Sequence, residues 1–370
     1  MGFYVHEINM GVAAYAREHG WILQDITSRS GVMPHGWKGN GIITLLPDWE
    51  HRRLIESVRK AGVPVVNLSD QLPGLPFPRV LPDNHAIGRV AAEELLSRCF
   101  QNFAFFMLNH DAPVERERME GFRDTVLAQG KKFHLLDYTS LRSDKHADKA
   151  LVKWLSRGLR TLPIPVGVMA QYDADANEVV YACIDAGLKV PEEVAVIGVD
   201  NDPIYAELGP VPLTSVISCR EMIGYRGAEL LDRLMSGGIA PEKAIRIPPA
   251  GLVVRRSSDI LMIDDQQLRN ALTYIAGHLR ENIDVDQLVK ASGASRRSLY
   301  LKFQQHLGRS IRAEIMRQRL NRAKQLLAST DMKMQAIATE SGFAWAEQLS
   351  RAFKLHEGNA PSCYRLNRYQ

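Results

Sequence analysis

From its start to about residue 260 the chain alternates apolar runs of strand length with amphipathic stretches of helical period. The runs are Gly41 to Leu45, Val63 to Leu68, Phe103 to Leu108, Val166 to Ala170 and Val194 to Val199. Strands alternating with helices predict a parallel, doubly wound sheet, and at this length two lobes. Ligands of such sheets bind beyond the carboxyl ends of the strands. The residues that follow each run are therefore the first candidates for a binding site. None of the runs approaches the ~20 apolar residues of a membrane helix, so no membrane span is expected.

The last hundred residues follow a different pattern, an internal repeat. Phe303-Gln-Gln-His306-Leu-Gly308 recurs 50 residues later as Phe353-Lys-Leu-His356-Glu-Gly358. Upstream of each copy a short helical period ends in glycine, at Leu288 to Gly293 and at Met334 to Gly342, and a second helix follows. Each unit reads helix, tight turn, helix. The glycine suits the left-handed backbone such a turn needs. Leu288, Val289 and Ala291 would pack on Leu299 and Phe303, and Ile337 and Ala338 on Leu349 and Phe353. The outward face of each second helix is left for a DNA groove. In the first unit it offers Arg296, Arg297, Ser298, Tyr300 and Lys302, with Ser295 as N-cap; in the second, Glu347, Gln348, Ser350, Arg351 and Lys354. Between the units, Ile311 to Leu327 places Ile311, Ile315, Leu320, Ala323 and Leu327 on one helical stripe, which predicts a connecting helix.

Charge supports that division. Residues 266–370 carry 17 Lys or Arg against 8 Asp or Glu, a balance of +9, whereas the rest of the chain carries −5. A basic module on an acidic body points to a nucleic-acid partner, although a solvated basic face would give the same count. Cys99, Cys183, Cys219 and Cys363 have no CxxC or metal-ligand spacing and read as buried thiols. No cofactor or metal is expected. The start lacks the basic and apolar regions of a secretory signal, which predicts a cytoplasmic protein.

From about Asp264 to the end the residues resemble the DNA-binding domain of the AraC/XylS family. The resemblance rests on Leu288 to Ser295, Leu299, Phe303, Gly308, Arg319-Leu320, Ala323, Leu326-Leu327, Ile337-Ala338, Gly342-Phe343, Ser350 to Lys354, Gly358, Pro361 and Tyr364-Arg365. The chain departs from it at Ala344, Trp345 and Leu349, where the family has a Ser or Thr, a polar residue and a Phe. Ala344 is a poor N-cap, at a cost of ~1 kcal/mol, so the second unit is expected to be the weaker. The resemblance implies operator DNA and RNA polymerase as partners.

In the first domain the strand-end rule selects Asp83 and Asn84 after the Pro-rich segment Leu72 to Pro82, and Arg116 and Arg118 after Phe103 to Leu108. It also selects Asp173 after Val166 to Ala170, and Asp200 and Asn201 after Val194 to Val199. Carboxylates, amides and Arg converging on one cleft suit a neutral polyol. Asp at strand ends also caps helices and turns. Trp21, Trp37 and Trp49 could stack on a sugar, but packing is the plainer role for each. The segments PDNHAIGRVAAEEL, ERMEGFRD, VIGVDN, LTSV and IPPAGLVVRRSS resemble the LacI/GalR-type effector domain, which is similar to periplasmic sugar-binding proteins.

Together these resemblances imply two domains. Residues 1–260 form an α/β two-lobed periplasmic-binding-protein-like sensor whose first β-strand is missing from the chain as written, through a late start or degradation. Residues 264–370 form an all-α double helix-turn-helix domain. The implied function is a dimeric, sequence-specific transcription activator answering to a pentose such as D-xylose. The ligand-contacting residues are then Asp83, Asn84, Arg118, Asp173, Asp200 and Asn201. The alternatives are a regulator whose truncated sensor no longer binds sugar and a soluble solute-binding protein, which would leave the basic tail unexplained. No nucleophile elbow, P-loop or Rossmann fingerprint supports an enzyme.

Overall fold

The computed structural model describes residues 3–25, 36–45, 52–69, 74–108, 112–139, 147–263, 265–357 and 360–361. Trp49, Asp264, Gly358, Cys363 and Tyr364-Arg365 lie outside them. The three other cysteines are buried and form no disulfide among the described residues. Among the described residues no helix is long and apolar enough to cross a membrane, and no His, Cys, Asp and Glu cluster could hold a metal.

The first lobe is built on two parallel strand pairs. β1 (Ile42–Thr44) lies beside β2 (Val65–Asn67), and β3 (Val80–Pro82) beside β9 (Ile245–Ile247). A single bridge, Asn67 to Arg79, joins the pairs. Helix α1 (Phe3–Glu18), the first described element, packs with α8 (Arg220–Met235) over these strands, burying Ile8, Val12, Ile223 and Leu230 with Val66, Leu68 and Val80. Helix α2 (Arg52–Lys60) buries Leu54, Ile55 and Val58 against Ile42 and Val65.

The second lobe carries a six-stranded sheet in the order β10-β8-β7-β6-β4-β5. The strands are β4 (Asn102–Met107), β5 (Lys132–Asp137), β6 (Val166–Ala170), β7 (Val194–Val199), β8 (Thr214–Ile217) and β10 (Gly251–Val253). All pair in parallel except β10, which runs antiparallel to β8. Every residue of β6 and β7 is buried, as expected of strands covered on both faces. One face packs on α3 (Asn84–Ser97) and α4 (Pro113–Ala128), the other on α5 (Ala147–Thr161) and α6 (Asp173–Ala186). Glycine sets the α3–α4 distance: a Cβ on Gly88 would overlap the Arg118 carbonyl, and one on Gly121 the His85 carbonyl. The short α7 (Pro203–Leu208) follows β7.

Three segments cross between lobes: β3 into α3, β8 into α8, and β9 into β10. They run side by side, with the Asp83 amide donating to the Ile247 carbonyl at 2.8 Å and the Ala250 amide to the Ile217 carbonyl at 3.0 Å. Most residues singled out at strand ends therefore sit on, or next to, the crossing point.

The last domain is helical: α9 (Gln266–Gly277), α10 (Val285–Ser292), α11 (Arg296–Leu307), α12 (Ile311–Ser329), α13 (Met334–Glu340) and α14 (Ala346–Glu357). Capping is explicit in the first unit. Asp284 and Gln287 form a capping box on α10, Gly293 ends it at φ +68°, and the Ser295 side chain caps α11. Leu288, Leu299, Phe303, Leu307 and Ile311 form the first unit's core together with Leu268, Leu272 and Ile275 of α9, while Ile337, Ala338, Phe343, Leu349 and Phe353 form the second. The connecting helix α12 contributes Ile311 to the first core and Leu320, Ala323 and Leu327 to the second, so one rigid element carries both units.

The cap position of the second unit is not Ala344: α14 begins at Ala346, which makes Trp345 the residue before the helix. Ala344 offers no side chain, but Gln335 of α13 brackets the turn, donating to the Ala344 carbonyl at 3.1 Å and accepting from the Ala346 amide at 3.0 Å. Gln348 accepts from the Ala344 amide at 2.9 Å. Gly342, at φ +82°, lies so close to the loop between α9 and α10 that a Cβ would overlap the Leu279 carbonyl. Arg319 of α12 donates to that same carbonyl at 3.1 Å.

Candidate functional site

Two polar clusters flank the crossing point. The first is organised by Arg118, whose side chain α4 buries almost completely. Its Nε donates to Asn84 Oδ1 at 3.0 Å and its Nη1 to the Gln171 carbonyl, and the guanidinium lies 4.9 Å from the centre of the Tyr172 ring. Among the described residues it meets no carboxylate at ion-pair distance. Asn84, the first residue of α3, also donates to Glu117 at 3.4 Å, and Glu117 is held bidentately by Arg246. Asp83 caps α3 by accepting from the Ala86 amide. Gln171 Oε1 is buried with no hydrogen-bond partner among the described residues.

The second cluster surrounds Asp200, at the end of β7 with φ +103°. Ser218 donates to its Oδ1 at 2.7 Å, and Arg220, at the start of α8, forms an ion pair with its Oδ2. Arg220 also reaches Glu7 of α1 at 3.3 Å. Burial, outweighing the attraction of Arg220, pushes the Glu7 carboxyl up to about 7. Asn201 donates its amide to Ser215 at 2.8 Å, and its own Oδ1 is buried with no partner among the described residues. Both Asp200 and Asn201 hold left-handed backbone that is costly for residues with a Cβ. Asp173 is engaged internally: Oδ1 accepts from Ser215 at 2.6 Å and Oδ2 from the Asp202 amide at 2.8 Å. Burial raises its pKa well above the ordinary value.

The sequence pattern does not single out Glu7, Gln171, Tyr172, Ser218 or Arg220. The strand-end rule contains the signal for four of them, since Gln171 and Tyr172 follow β6 as directly as Asp173 does, and Ser218 and Arg220 follow β8. Glu7 carries no such signal, because its partner is 213 residues away. Trp21 packs edge-on against Tyr15, and Trp37 joins the core under α2.

On the helical domain the residues chosen from sequence divide. Arg297, Tyr300, Glu347, Gln348, Arg351 and Lys354 are exposed, and Ser298 and Ser350 are half-buried. Ser295 spends its hydroxyl on the cap of α11. Arg296 is exposed but ion-paired with Asp286 at 2.5 Å. Lys302 is half-buried, and its ammonium is spent on Asp265, the N-cap of α9, whose carboxyl it lowers in pKa.

Residues 92–258 match the periplasmic binding protein-like domain family, and residues 288–367 the helix-turn-helix domain family. The xylose operon regulatory protein of Escherichia coli (strain K12) is 30% identical over 341 residues, which span 89% of this chain and 84% of that protein. The chain belongs to the xylose operon regulator family. Another member, from Haemophilus influenzae, is 27% identical over 333 residues, 87% of this chain and 84% of its own. A solved structure of a xylose-binding transcription activator aligns at a TM-score of 0.58 with 27% identity, covering 100% of this chain and 96% of the other. Like its relatives, this regulator joins a periplasmic-binding-protein-like sensor to a helix-turn-helix DNA-binding domain.

In this regulator the two domains meet at the far end of α3. Glu94 is buried, accepting from Arg98 at 2.8 Å and facing Arg317 of α12 at 3.9 Å. Arg317 in turn grips Glu314 through contacts of 2.8 and 3.0 Å. Burial opposes the charge on Glu314, but its bonds from Arg317 win, and its pKa falls below the ordinary value. Arg98 reaches Asp259 at 2.7 Å, and its carbonyl accepts from the Met262 amide at 2.8 Å. Cys99 packs into the first unit's core, with its Sγ 3.9 Å from the His306 carbonyl. Burial raises the Cys99 thiol to about 11, which leaves it protonated and unreactive.

Proposed function

We propose that this regulator binds a pentose, D-xylose first, at the lobe crossing and responds by changing how its helix-turn-helix units engage operator DNA to activate transcription. The observation that carries the reading is the pairing of Arg118 with Asn84 next to Gln171, whose buried side-chain oxygen is unspent, with a second unspent oxygen on Asn201 in the Asp200 cluster. A guanidinium fixed at Nε and Nη1 keeps Nη2 for vicinal hydroxyls, and the two amide oxygens accept from hydroxyls. Asn84, Arg118, Asp200 and Asn201 take the direct contacts in this reading. Asp83 and Asp173 hold the backbone that presents them. Asp200 starts out paired with Arg220, so a sugar hydroxyl at Asp200 has to share or displace that guanidinium.

Signal transfer follows from α3. It begins at Asn84 in the cleft, and its last turns carry Glu94 against the DNA-binding domain, with Cys99 just beyond its end. Its 14 residues span about 20 Å as one rigid rod. A sugar shifts the protein only through a difference in affinity between two arrangements, and a rod fixed at both ends is a way for the two sites to share that difference. The regulator acts as a homodimer in this proposal. Exposed Tyr181 and Ile184 on α6, beside Ile204, Tyr205 and Leu208 on α7, form an apolar surface suited to a second copy. RNA polymerase is the proposed partner at the promoter, and the protein works in the cytoplasm.

The test is a thermal-shift screen of pentoses and hexoses. D-xylose is expected to raise the melting temperature of the wild type and to leave that of Arg118→Ala unchanged. No shift with any pentose would overturn the sugar-sensing reading.

A further inference from the structure

The repeat of 50 residues lets the two recognition helices be compared position by position. In α11 the residues at helical spacing on the outward side are Arg297, Tyr300, Leu301 and Gln304, and all four are exposed. Their counterparts in α14 are Glu347, Ser350, Arg351 and Lys354. The opposite side of each helix is core, with Leu299 matched by Leu349 and Phe303 by Phe353. The two helices therefore present the same side and carry different chemistry on it.

The centre of the first stripe is apolar. Tyr300 is 45% and Leu301 51% exposed, and neither joins a core cluster. A lone surface leucine would mean little. Leu301, however, sits between Arg297 and Gln304 on the outward side of a recognition helix, in a module with a charge of +9. Two of the nearby cations are committed elsewhere, Arg296 to Asp286 and Lys302 to Asp265. In the second stripe Arg351, Glu347 and Lys354 form no ion pair among the described residues. The polyanion that matches the module's charge is the occupant of both faces.

Resting on the reading that these faces enter the major groove, we propose that the two units read unlike half-sites. The first reads a thymine-bearing step through Tyr300 and Leu301 packed on the C5-methyl group. The second reads a G·C step, with Arg351 donating to guanine O6 and N7 and Glu347 accepting from the cytosine amino group. Leu301 is then a specificity-determining residue where its counterpart in the other unit is an arginine.

The test uses the full-length protein with D-xylose and a random-sequence duplex pool. The selected duplexes are then remade with deoxyuridine replacing each enriched thymidine in turn. One half-site is expected to enrich thymine and the other a G·C pair. Removing the critical methyl should weaken wild-type binding about fourfold, the worth of one buried methyl-sized group. Leu301→Ala should discriminate less between the thymidine and deoxyuridine duplexes than the wild type does. Arg351→Ala should lose preference at the G·C pair, weakening binding about tenfold or more. A wild type indifferent to deoxyuridine at every position would overturn the proposal, as would a Leu301→Ala variant that keeps the wild-type ratio. A pool that never enriches would contradict DNA recognition itself, and this proposal with it.

Discussion

At its N-terminal end α3 carries Asn84, held by an arginine that meets no carboxylate among the described residues, beside an amide oxygen with no partner. At its C-terminal end it carries Glu94, buried between Arg98 and Arg317, where the neighbouring acids Asp259 and Glu314 balance the extra cations. One end has hydrogen-bonding capacity left over, and the other has spent it. Polar capacity left unspent beside a cleft is costly unless a ligand or water meets it, which marks a place for a ligand. A closed ion network is costly to break, which marks a place for a rigid joint.

The largest effect expected is at the joint. Glu94→Ala leaves Arg98 and Arg317 facing each other without the carboxylate between them, and should cost about 3 kcal/mol in denaturant unfolding. A loss under about 1 kcal/mol would mean that this end is no more locked than the other.

Next comes the acid behind Asp200. Glu7 has a folded pKa of about 7 against an ordinary 4.5, so folding favours its protonated form. Its contribution is full below about 4.5 and is lost as the pH rises through 7. The fall in stability between pH 5 and 8 should amount to about 2 kcal/mol, and Glu7→Gln should flatten it. An equal slope in the variant would place the pH dependence elsewhere.

At the open end, D-xylose at a hundredfold excess over its Kd should stabilise the wild type by about 2.7 kcal/mol. Arg118→Ala should show none of this when compared with its own sugar-free melting temperature, which the loss of the buried bonds to Asn84 and Gln171 lowers. The smallest effect concerns the second helix-turn-helix unit. Gln335→Ala should cost ~1 kcal/mol, because Gln335 bonds both the Ala344 carbonyl and the Ala346 amide of the turn before α14. Placing a serine at position 345, the residue before α14, in the same variant should recover it.

Much of this contrast was open to sequence reasoning at one end only. Long buried strands such as β6 and β7 stand out as apolar runs, and the helix-turn-helix units through their glycines, caps and 50-residue repeat. The short strands β3, β8, β9 and β10 do not stand out, because three or four residues are too few to show a period. Helix α9 was hidden although Leu268, Leu272 and Ile275 have helical spacing, since the repeat begins after it. Strand-end position leads to Asn84, Arg118 and Asp200. The joint has no local signature: Glu94 lies within an ordinary amphipathic helix, and its partner Arg317 is more than two hundred residues away. The same limit applies to Lys302, which looks like a DNA contact until Asp265 is seen beside it, and to Gln335, whose capping role depends on a turn in space.

The most direct test of α3 as the link is operator affinity with and without D-xylose, measured for wild type and Glu94→Gln on the duplex enriched by selection. Wild-type affinity should change with sugar. Glu94→Gln should keep both its sugar-induced thermal shift and its sugar-free operator affinity, yet lose most of the change in affinity between the two conditions. A variant whose operator affinity still responds to D-xylose as fully as the wild type would contradict the account.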